Sequence, residues 1–531
     1  MGQRENVFKQ LEELIGKDSL NGANYEKLGD YYLQENREKA YLCYENAMFL
    51  GNVQKEDIQE KIRCLEEGGV KRHKVSIVIL SYNACDMMKN CIKSIRRNNP
   101  VSAYELVVID NASTDGVVEW LKEQEDIVLQ CNEENVGFPK GCNQGIALAE
   151  KANDIMLLNN DTIVTENALF WLRMAVCEPK IGAAGSISNM AEKLSSEGTG
   201  REKRSLEEQL KQARTNNILM KHPYEIGMFL RGYAVLLERV ALEKTGYLDE
   251  VFSPGNYEDA DICLRMIQAG YHLAMCYNSF IFHYGSVSFN QKREWYLNIY
   301  SRNHYIYTQK YGFDVDYYAK QRLDLIKYLP ENENESFRVL DIGCGCGNTL
   351  FRIKGLYPNA EIIGVEKERK AVLIGEKIAP IYCIDVEEQE IPFETQSFDY
   401  IIMGNVLEQL REPKKVLNRV KDYLKPGGKL ITSVYNFANV KNLCGLLRGS
   451  YNYTDQSGIW DRKNKQCFAG AKLLQMFREC NLKIQDIESM GNPLTTEEEG
   501  FLVSVEGMEW CEEEEGMLRT DNYIIIANKE K

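Results

Sequence analysis

Runs of apolar residues that end in polar side chains recur along the chain from position 75 onward. Residues 75–80, 106–109 and 155–158 are such runs, and their composition is typical of strands buried on both faces of a sheet. The stretch 85–97 between the first two has a helical pattern. Strands that alternate with helices predict a largely parallel α/β sheet. Because ligands bind beyond the carboxyl ends of parallel strands, the polar residues after each run are candidate site residues.

A second α/β pattern begins at residues 337–340, after the polar stretch 330–336, and its last strand is predicted at 523–527. At 531 residues the chain has room for about three domains of ordinary size. We predict four parts: a helical segment at 1–70, a first α/β domain at 73–315, a linker at 316–335 and a second α/β domain at 336–531.

The first part resembles a single tetratricopeptide repeat. Tyr25, Leu28, Gly29 and Tyr32 match its first helix, with tyrosine in the place of tryptophan. One repeat cannot bury both of its faces, so we expect it to dock on a neighbour. Two interpretations stay open: a helical hairpin used for packing, or an arm for protein contacts such as homodimerisation.

The composition narrows the class of protein. The formal net charge of −15 argues against a nucleic-acid-binding surface. The 16 cysteines have no metal-knuckle or disulfide-scaffold spacing, and we interpret them as reduced thiols of a cytoplasmic protein. The polar N-terminus does not predict a signal peptide, and no apolar run approaches the ~20 residues of a transmembrane helix. We therefore expect any membrane contact to be peripheral.

The strand ends of the first α/β domain belong to a longer series of motifs. In chain order these are residues 75–83, 110–116, 135–138, 157–161, 246–261 and 282–286. Together they resemble the successive motifs of the family 2 glycosyltransferases, which have the GT-A fold. The resemblance implies transfer of a sugar from a nucleoside diphosphate sugar. Such a reaction needs a nucleotide pocket, a cation that offsets the charge of the leaving group, and a base for the acceptor hydroxyl.

The resemblance assigns the nucleotide pocket to the strand ends. It implies that Asp110 accepts a hydrogen bond from the pyrimidine base, and that Ser81 and Asn83 line the same pocket. We also assign three asparagines to nucleotide-sugar binding: Asn135, Asn143 and Asn160.

The cation is assigned to Asp161 and His283. The run Asn159-Asn160-Asp161 stands where the family has its D-x-D signature, so Asp161 is its one anionic ligand and is counted among the catalytic residues. His283 stands where the family often has a histidine ligand. Carboxylate oxygen suits Mg²⁺ or Mn²⁺, and Mn²⁺ accepts an imidazole more readily. Taken alone, Asp161 would equally suit a turn cap, and His283 a structural histidine.

The resemblance makes Asp259 the catalytic base of an acidic pair, with Glu258 beside it in a supporting role. A base that deprotonates the acceptor hydroxyl as it attacks the anomeric carbon implies direct displacement with inversion. Carboxylates are also favoured at a helix N-terminus, and the two interpretations are compatible.

The donor and the acceptor are predicted only by class. The Asn-Asn-Asp variant is similar to the rhamnosyltransferase-like branch, which favours dTDP-rhamnose; UDP-hexoses, UDP-N-acetylhexosamines and galactofuranose stay open. The expected acceptor is a glycan, a lipid-linked sugar or a glycoprotein such as flagellin.

The second α/β domain opens with a strand and a glycine-rich turn. Its cradle residues are Asp341, Gly343, Gly345, Gly347, Glu366 and Asp385. Glycines let a backbone approach a ligand closely, and Glu366 follows Gly347 at about the ~20-residue spacing of a ribose-binding acid. Alone, this loop would equally suit a dinucleotide. With the later stretches 398–402 and 424–430, it resembles a class I S-adenosylmethionine-dependent methyltransferase. The resemblance places Asp341 and the glycines at the methionine end of the cofactor, Glu366 at the ribose and Asp385 at the adenine.

The activity of this second domain is less sharply indicated than its fold. The chain has 5 histidines and none lies beyond His304, although related enzymes often have one where Gln409 stands. Glu408 could act as a base if it were buried, but we favour a position on a helix surface. Another family histidine follows an Asp-Arg pair, and here Asp461-Arg462 leads to Lys463-Asn464.

The sequence therefore predicts an α/β protein with a GT-A nucleotide-sugar-binding domain, a Rossmann-like class I methyltransferase domain and a small helical segment. The leading hypothesis is a glycosyltransferase coupled to O-methylation of the glycan. The alternatives are a glycosyltransferase with a non-catalytic cofactor-binding scaffold, and an interaction protein built on inactive enzyme folds.

Overall fold

A computed structural model describes residues 2–189, 205–285, 293–454, 458–506 and 517–529. The chain forms two compact units, Met1–Lys310 and Tyr311–Lys531, and each is described by itself. No helix of these ranges is long and apolar enough to cross a membrane.

The first unit is built on one mixed sheet. Over the described residues its nine strands are β1 (Val75–Ser81), β2 (Tyr104–Asp110), β3 (Ile127–Cys131), β4 (Asp154–Asn159), β5 (Thr162–Val164), β6 (Ile181–Ile187), β7 (Tyr224–Gly227), β8 (Ala234–Leu237) and β9 (His272–His283). Their order is β3-β2-β1-β4-β8-β6-β9-β5, with β7 on β9. Strands β1 to β4 are mutually parallel, whereas β8 runs antiparallel to both β4 and β6. The three apolar runs found in the sequence became β1, β2 and β4.

Helices form the N-terminal part of this unit and also connect the strands of the sheet. They are α1 (Gly2–Lys17), α2 (Gly22–Tyr32), α3 (Arg37–Leu50), α4 (Lys55–Glu67), α5 (Cys85–Asn98), α6 (Val117–Lys122), α7 (Phe138–Leu148), α8 (Ala168–Val176), α9 (Leu206–Asn216), α10 (Arg239–Thr245), α11 (Glu258–Gln268) and α12 (Arg293–Tyr311). The apolar side chains of β1 and β2 form one buried core with those of α5 and α8.

The four N-terminal helices dock on α8 of the same unit. Gly29 of α2 lies so close to α3 that a Cβ there would be 2.5 Å from the Tyr44 ring. The Tyr25 ring contacts Phe170 edge-on at 5.3 Å, and the Tyr25 hydroxyl accepts a hydrogen bond of 2.9 Å from the Asn167 amide. The apolar face of the hairpin is therefore buried against the sheet domain, as expected for a lone repeat.

The second unit has a seven-stranded sheet over its described residues. Its strands are β10 (Arg338–Ile342), β11 (Glu361–Glu366), β12 (Ile381–Cys383), β13 (Phe398–Gly404), β14 (Leu424–Tyr435), β15 (Leu482–Met490) and β16 (Asn522–Lys529). The order is β12-β11-β10-β13-β14-β16-β15. All neighbours are parallel except the last two pairs, in which β16 runs against β14 and β15.

The helices of the second unit begin before the predicted domain boundary. They are α13 (Val315–Tyr318), α14 (Leu323–Ile326), α15 (Asn348–Leu356), α16 (Arg369–Gly375), α17 (Pro413–Val420), α18 (Val440–Leu447), α19 (Gly470–Glu479) and α20 (Thr496–Glu506). The predicted linker 316–335 thus contains part of α13 and all of α14, and Leu325 and Ile326 are buried. Burial of these apolar side chains holds the segment in the second unit. The polar run at 330–336 led instead to the prediction of a linker.

Candidate functional site

The carboxyl ends of β1, β2 and β4 meet at one edge of the first sheet. Ser81 pairs in register with Asp110, and Leu80 pairs with Asn159 on the other side. Asp110 is fully buried, and its carboxylate accepts hydrogen bonds from Ser113 N at 2.8 Å and Ser113 Oγ at 2.6 Å. The buried Ser81 Oγ has no hydrogen-bond partner among the described residues. This edge therefore combines a fixed carboxylate with an unused hydroxyl.

Two asparagines tie the loops at this edge together. Asn83, which has a positive φ of 58°, accepts a hydrogen bond of 3.0 Å from Thr114 N. The Asn160 amide donates to the Asn83 carbonyl at 3.4 Å. The loops that follow β1, β2 and β4 are thus joined around the nucleotide pocket predicted from the sequence.

The other two assigned asparagines mainly hold backbone. Asn135 Oδ1 accepts a hydrogen bond of 3.0 Å from Gly137 N. The Asn143 amide donates to the Leu248 carbonyl at 2.9 Å, and its Oδ1 accepts from Leu248 N at 3.0 Å. Asn143 therefore clasps α7 to the segment that leads to the acidic pair, and its amide is taken up by that contact.

Asp161 and His283 converge from two strands. Thr162 at the start of β5 pairs in register with His283 at the end of β9. His283 Nε2 lies 3.1 Å from Asp161 Oδ1, and both side chains are only slightly exposed. A carboxylate oxygen beside an imidazole nitrogen is a donor pair that fits Mn²⁺ or Mg²⁺.

The acidic pair lies at the N-terminus of α11. Asp259 is held by backbone N–H groups, with Oδ2 accepting from Gly232 at 3.1 Å and Oδ1 from Ala260 at 2.8 Å. Burial raises the pKa of Asp259 above the ordinary range of an aspartate. Burial, followed by the charge of Asp259, also raises the pKa of Glu258, whose Oε2 has no hydrogen-bond partner among the described residues. A desolvated carboxylate with a raised pKa has the properties of a general base.

The third acid of this helix has a different environment. Asp261 is fully buried and pairs with Arg265 at 2.8 Å and with Lys310 at 2.6 Å. Lys310 also pairs with Asp249 at 2.7 Å. Asp261 therefore fixes α11 to its neighbours.

Two consecutive residues connect the acidic pair to Asp161 and His283. Gly232 N donates to Asp259, and the ring of the next residue, Tyr233, stacks on His283 with 4.9 Å between ring centroids. The Tyr233 carbonyl accepts a hydrogen bond of 2.8 Å from Asn159 N. The candidate base and the candidate cation ligands are thus positioned by one short segment of backbone.

The second unit has a cavity at the carboxyl edge of β10, β11 and β12. Asp341 and Glu366, at the ends of β10 and β11, line it together with Gly343, Gly345 and Asp385. Glu366 Oε2 accepts a hydrogen bond of 3.0 Å from Gly345 N, which fixes the glycine loop. Burial raises the pKa of Asp341 to about 8. Gly347 stands behind the cavity as the N-cap of α15.

Comparison with known families agrees with this geometry. Residues 76–235 match the sequence model of the family described as Glycosyl transferase family 2, and residues 340–430 match the one described as Methyltransferase domain. The chain contains a family 2 glycosyltransferase domain and a methyltransferase domain. The predicted fold classes, GT-A for the first unit and Rossmann-like for the second, are confirmed.

Individual relatives each match only part of the chain. An uncharacterized protein of Methanocaldococcus jannaschii is 28% identical over 140 residues, which are 26% of this chain and 62% of that protein. A demethylmenaquinone methyltransferase of Geobacillus sp. is 25% identical over 194 residues, which are 32% of this chain and 81% of the enzyme. Among solved structures, a mannosyltransferase of Pyrobaculum calidifontis in complex with GDP-Man and Mn²⁺ has 16% identity and a TM-score of 0.32, covering 40% of this chain and 58% of its own. The chain therefore spans less than two thirds of the first relative and of this mannosyltransferase.

The methyltransferase domain implies S-adenosylmethionine as its cofactor, and the cavity fits it. Gly343 and Gly345 have positive φ values of 75° and 56°, which bring bare backbone to the cavity wall. Asp341 and Glu366 place two buried carboxyl groups on the cavity wall, and carboxylates of this kind would suit the ammonium group and the ribose hydroxyls of the cofactor. Asp385 Oδ1 accepts a hydrogen bond of 2.9 Å from Glu387 N, so its loop is also ordered.

We expect Gly345→Ala to weaken cofactor binding. A Cβ at this position would be 2.0 Å from the Tyr318 carbonyl, and the positive φ disfavours alanine. The loop must shift, and the dissociation constant measured by isothermal titration with S-adenosylmethionine should rise at least about tenfold, since 1.4 kcal/mol of strain corresponds to a factor of 10. Gly449→Ala, also at positive φ but with open space around its Cβ, is the control and should bind the cofactor normally.

Sequence analysis missed several residues of this cavity. Tyr317, Tyr318 and Arg322 precede the predicted domain, and Asp461 and Asn464 lie within it but far along the chain from the glycine-rich turn, yet all five line the cavity. Arg322 donates to Asn405 Oδ1 at 2.6 Å and Ser433 Oγ at 2.7 Å, so it fixes the ends of β13 and β14. The positions of these residues in the sequence do not indicate that they share a cavity. The adjacent tyrosines at 317–318 are the one feature of the sequence that could indicate a binding surface there.

The predicted surface position of Glu408 was wrong. The side chain is fully buried in a short 3-10 turn, Leu407–Gln409, and burial raises its pKa. Its Oε1 accepts hydrogen bonds from Tyr435 N at 2.7 Å and from the Asn405 amide at 3.1 Å. The turn is packed beside β13 and β14. Through these two hydrogen bonds Glu408 fixes the ends of both strands at the edge of the cavity.

Proposed function

We propose that the protein transfers a sugar, with inversion, from a nucleoside diphosphate sugar to a hydroxyl of a glycan-type acceptor. The observation that carries this proposal is the Gly232–Tyr233 segment, which holds Asp259 through its backbone and His283 through its aromatic ring. A base and a cation site positioned by one rigid segment suit a displacement in which the hydroxyl loses its proton as the diphosphate leaves.

Each residue has a role in this proposal. Asp259 takes the proton from the acceptor hydroxyl, and Glu258 supports it as a second carboxyl group in the same buried pocket. Asp161 and His283 hold a divalent cation that offsets the charge of the leaving diphosphate. Asp110, with the Ser81 hydroxyl beside it, receives the nucleotide base.

The donor and acceptor follow from the same site only by class. The Asn159-Asn160-Asp161 variant supports a dTDP-rhamnose-like donor, with UDP-sugars as the other donor class. A glycan, a lipid-linked sugar or a glycoprotein offers the hydroxyl that the proposed base requires. A thermal-shift panel of nucleotide sugars, with and without Mn²⁺, identifies the donor because a bound ligand stabilises the fold by mass action.

We further propose that the methyltransferase domain methylates a hydroxyl of the glycan. Fusion of the two domains raises the effective concentration of the second site for the product of the first. The alternative is a cofactor-binding scaffold, which the absence of histidine from the second unit's sequence favours. Transfer of labelled methyl from S-adenosylmethionine to the glycosylated product tests the proposal; cofactor binding without transfer supports the scaffold.

Asp161→Asn and His283→Ala should each weaken the binding of the Mn²⁺ that supports glycosyl transfer. Loss of one of two protein ligands removes a charge-assisted or imidazole bond, so the Mn²⁺ concentration for half-maximal rate should rise about 10- to 100-fold. His222→Ala, a histidine distant in sequence from these motifs, is the control. Unchanged Mn²⁺ dependence in both variants would show that the cation, if required, is held elsewhere.

A further inference from the structure

Three separate segments of the methyltransferase domain place polar side chains on the wall of its cavity. Tyr317 belongs to α13, Gln409 to the 3-10 turn Leu407–Gln409, and Asp461 to the loop before α19. All three line the same cavity as Asp341 and Glu366.

The three side chains are neighbours on this wall. The Gln409 amide donates to the Tyr317 hydroxyl at 3.0 Å. Burial, followed by the neighbouring Asp461 carboxylate, raises the pKa of that hydroxyl. Asp461 is only 2% exposed, and its Oδ1 accepts a hydrogen bond of 2.9 Å from Lys463 N. An ionised carboxylate has about four acceptor sites, so this bond leaves capacity for a further donor from the cavity.

The surroundings of these side chains are ordered. Lys463 Nζ lies 3.2 Å from the centroid of the Tyr317 ring and 4.6 Å from that of Tyr318. The Glu408 carbonyl accepts hydrogen bonds from Lys465 N at 2.7 Å and Gln466 N at 2.9 Å, which anchors the loop of Asp461 to the turn of Gln409.

The other carboxylates of the cavity are less suited to accept a proton from an acceptor. Glu366 accepts three backbone hydrogen bonds, from Gly345, Lys367 and Glu368. Asp341, beside the glycine loop, and Asp385, after β12, lie in the part of the cavity assigned to the cofactor. Glu408 is not part of the cavity lining among the described residues.

We propose that Asp461 is the proton acceptor for methyl transfer to a hydroxyl, with Tyr317 and Gln409 as positioning residues. The inference rests on the methyl transfer proposed above. In the step, the bond from the acceptor oxygen to the methyl carbon forms as the sulfur–methyl bond breaks. The electron pair of the broken bond stays on sulfur, which becomes a neutral thioether. The electron pair of the O–H bond stays on oxygen, and the proton moves to the Asp461 carboxylate.

The test uses the full chain with tritiated S-adenosylmethionine. The acceptor probe is a panel of p-nitrophenyl hexosides and 6-deoxyhexosides, together with the products that the chain's own glycosyl transfer makes from them. Asp461→Asn should lower kcat at least about 100-fold, as expected for the loss of a general base, and leave the dissociation constant of the cofactor unchanged. Asp461→Glu should restore part of the rate. Tyr317→Phe should lower kcat about tenfold with little change in KM, because it misplaces the carboxylate without removing it.

The controls separate this inference from the function on which it rests. Asp486→Asn, the same change at an exposed position of β15, should leave kcat unchanged. If the wild type transfers methyl and Asp461→Asn is equally fast, the inference is overturned while methyl transfer stands. If the wild type binds the cofactor and methylates none of the probes, both are overturned and the domain is a scaffold. If Asp461→Asn fails to bind the cofactor, the other two variants decide. An unchanged kcat in both Tyr317→Phe and Gln409→Leu would overturn the proposal that these side chains position Asp461 for proton transfer.

Discussion

Asp259→Asn is expected to lower the kcat of glycosyl transfer by about 10²- to 10⁴-fold, the range that loss of a general base produces. Asparagine keeps the size of the side chain and can accept the hydrogen bond that Gly232 N now donates at 3.1 Å, so the donor site stays formed. The dissociation constant of the nucleotide sugar should therefore change little. Single-turnover kinetics with a radiolabelled donor separates the two quantities.

The same variant makes a prediction about stability that distinguishes catalysis from folding. Burial raises the pKa of Asp259 in the folded state, so the charged carboxylate destabilises the fold at any pH above its ordinary pKa. Replacement by a neutral amide should leave the melting temperature unchanged or raise it. Asp261→Asn is the matched control on the same helix, because it removes the ion pairs with Arg265 and Lys310. It should cost about 1–3 kcal/mol and spare the kcat of the folded fraction.

The pH profile provides a further check on the base. Activity requires the ionised form of Asp259, so kcat should fall as the pH decreases through a pKa above the ordinary range of an aspartate. The limb belongs to the pair with Glu258, since neighbouring carboxyl groups titrate together. An Asp259→Asn variant that kept both the rate and this limb would show that another group takes the proton.

The sequence predicted well what local patterns determine. The apolar runs became β1, β2 and β4, and the polar residues at their ends, such as Asp110 and Asp161, lie at the carboxyl edge of the sheet. The glycine-rich turn at 343–347 likewise has the positive φ values that its composition indicates. In these cases a side chain's position follows from the end of its own strand.

The sequence predicted poorly what depends on contacts between distant segments. Tyr317 and Asp461 line one cavity although five strands of the sheet, β10 to β14, lie between them in the chain. The sequence around Glu408 is typical of a surface turn, but packing beside β13 and β14 buries this residue. The hydrogen bonds between Asn143 and the Leu248 backbone, 105 positions apart in the chain, are likewise not indicated by the sequence.

The N-terminal helices share a buried ion pair with the glycosyltransferase domain. Arg173 of α8 is 2% exposed, and its Nη1 lies 2.5 Å from Glu45 Oε2 of α3. Its Nε and Nη2 donate to the His73 and Arg72 carbonyls at 2.8 Å each. Arg173→Ala would leave a buried carboxylate and two carbonyls without this partner. We expect the free energy of unfolding, measured by urea denaturation, to fall by about 3–5 kcal/mol.

A double variant separates the effect of an unpaired buried charge from the effect of losing the ion pair. Burying the two charges costs free energy of desolvation that can be as large as their mutual attraction. Replacement of both partners by apolar residues of similar size should then restore much of the stability. We therefore expect Arg173→Met with Glu45→Leu to unfold at a higher urea concentration than Arg173→Ala. Arg97→Ala, an exposed arginine on α5, should shift the transition by no more than about 0.5 kcal/mol. Arg173→Ala with an unchanged transition, or with the helices melting apart from the sheet, would mean that the N-terminal segment is an appended arm. A single cooperative loss would instead make the helical hairpin part of the fold that positions Asp259.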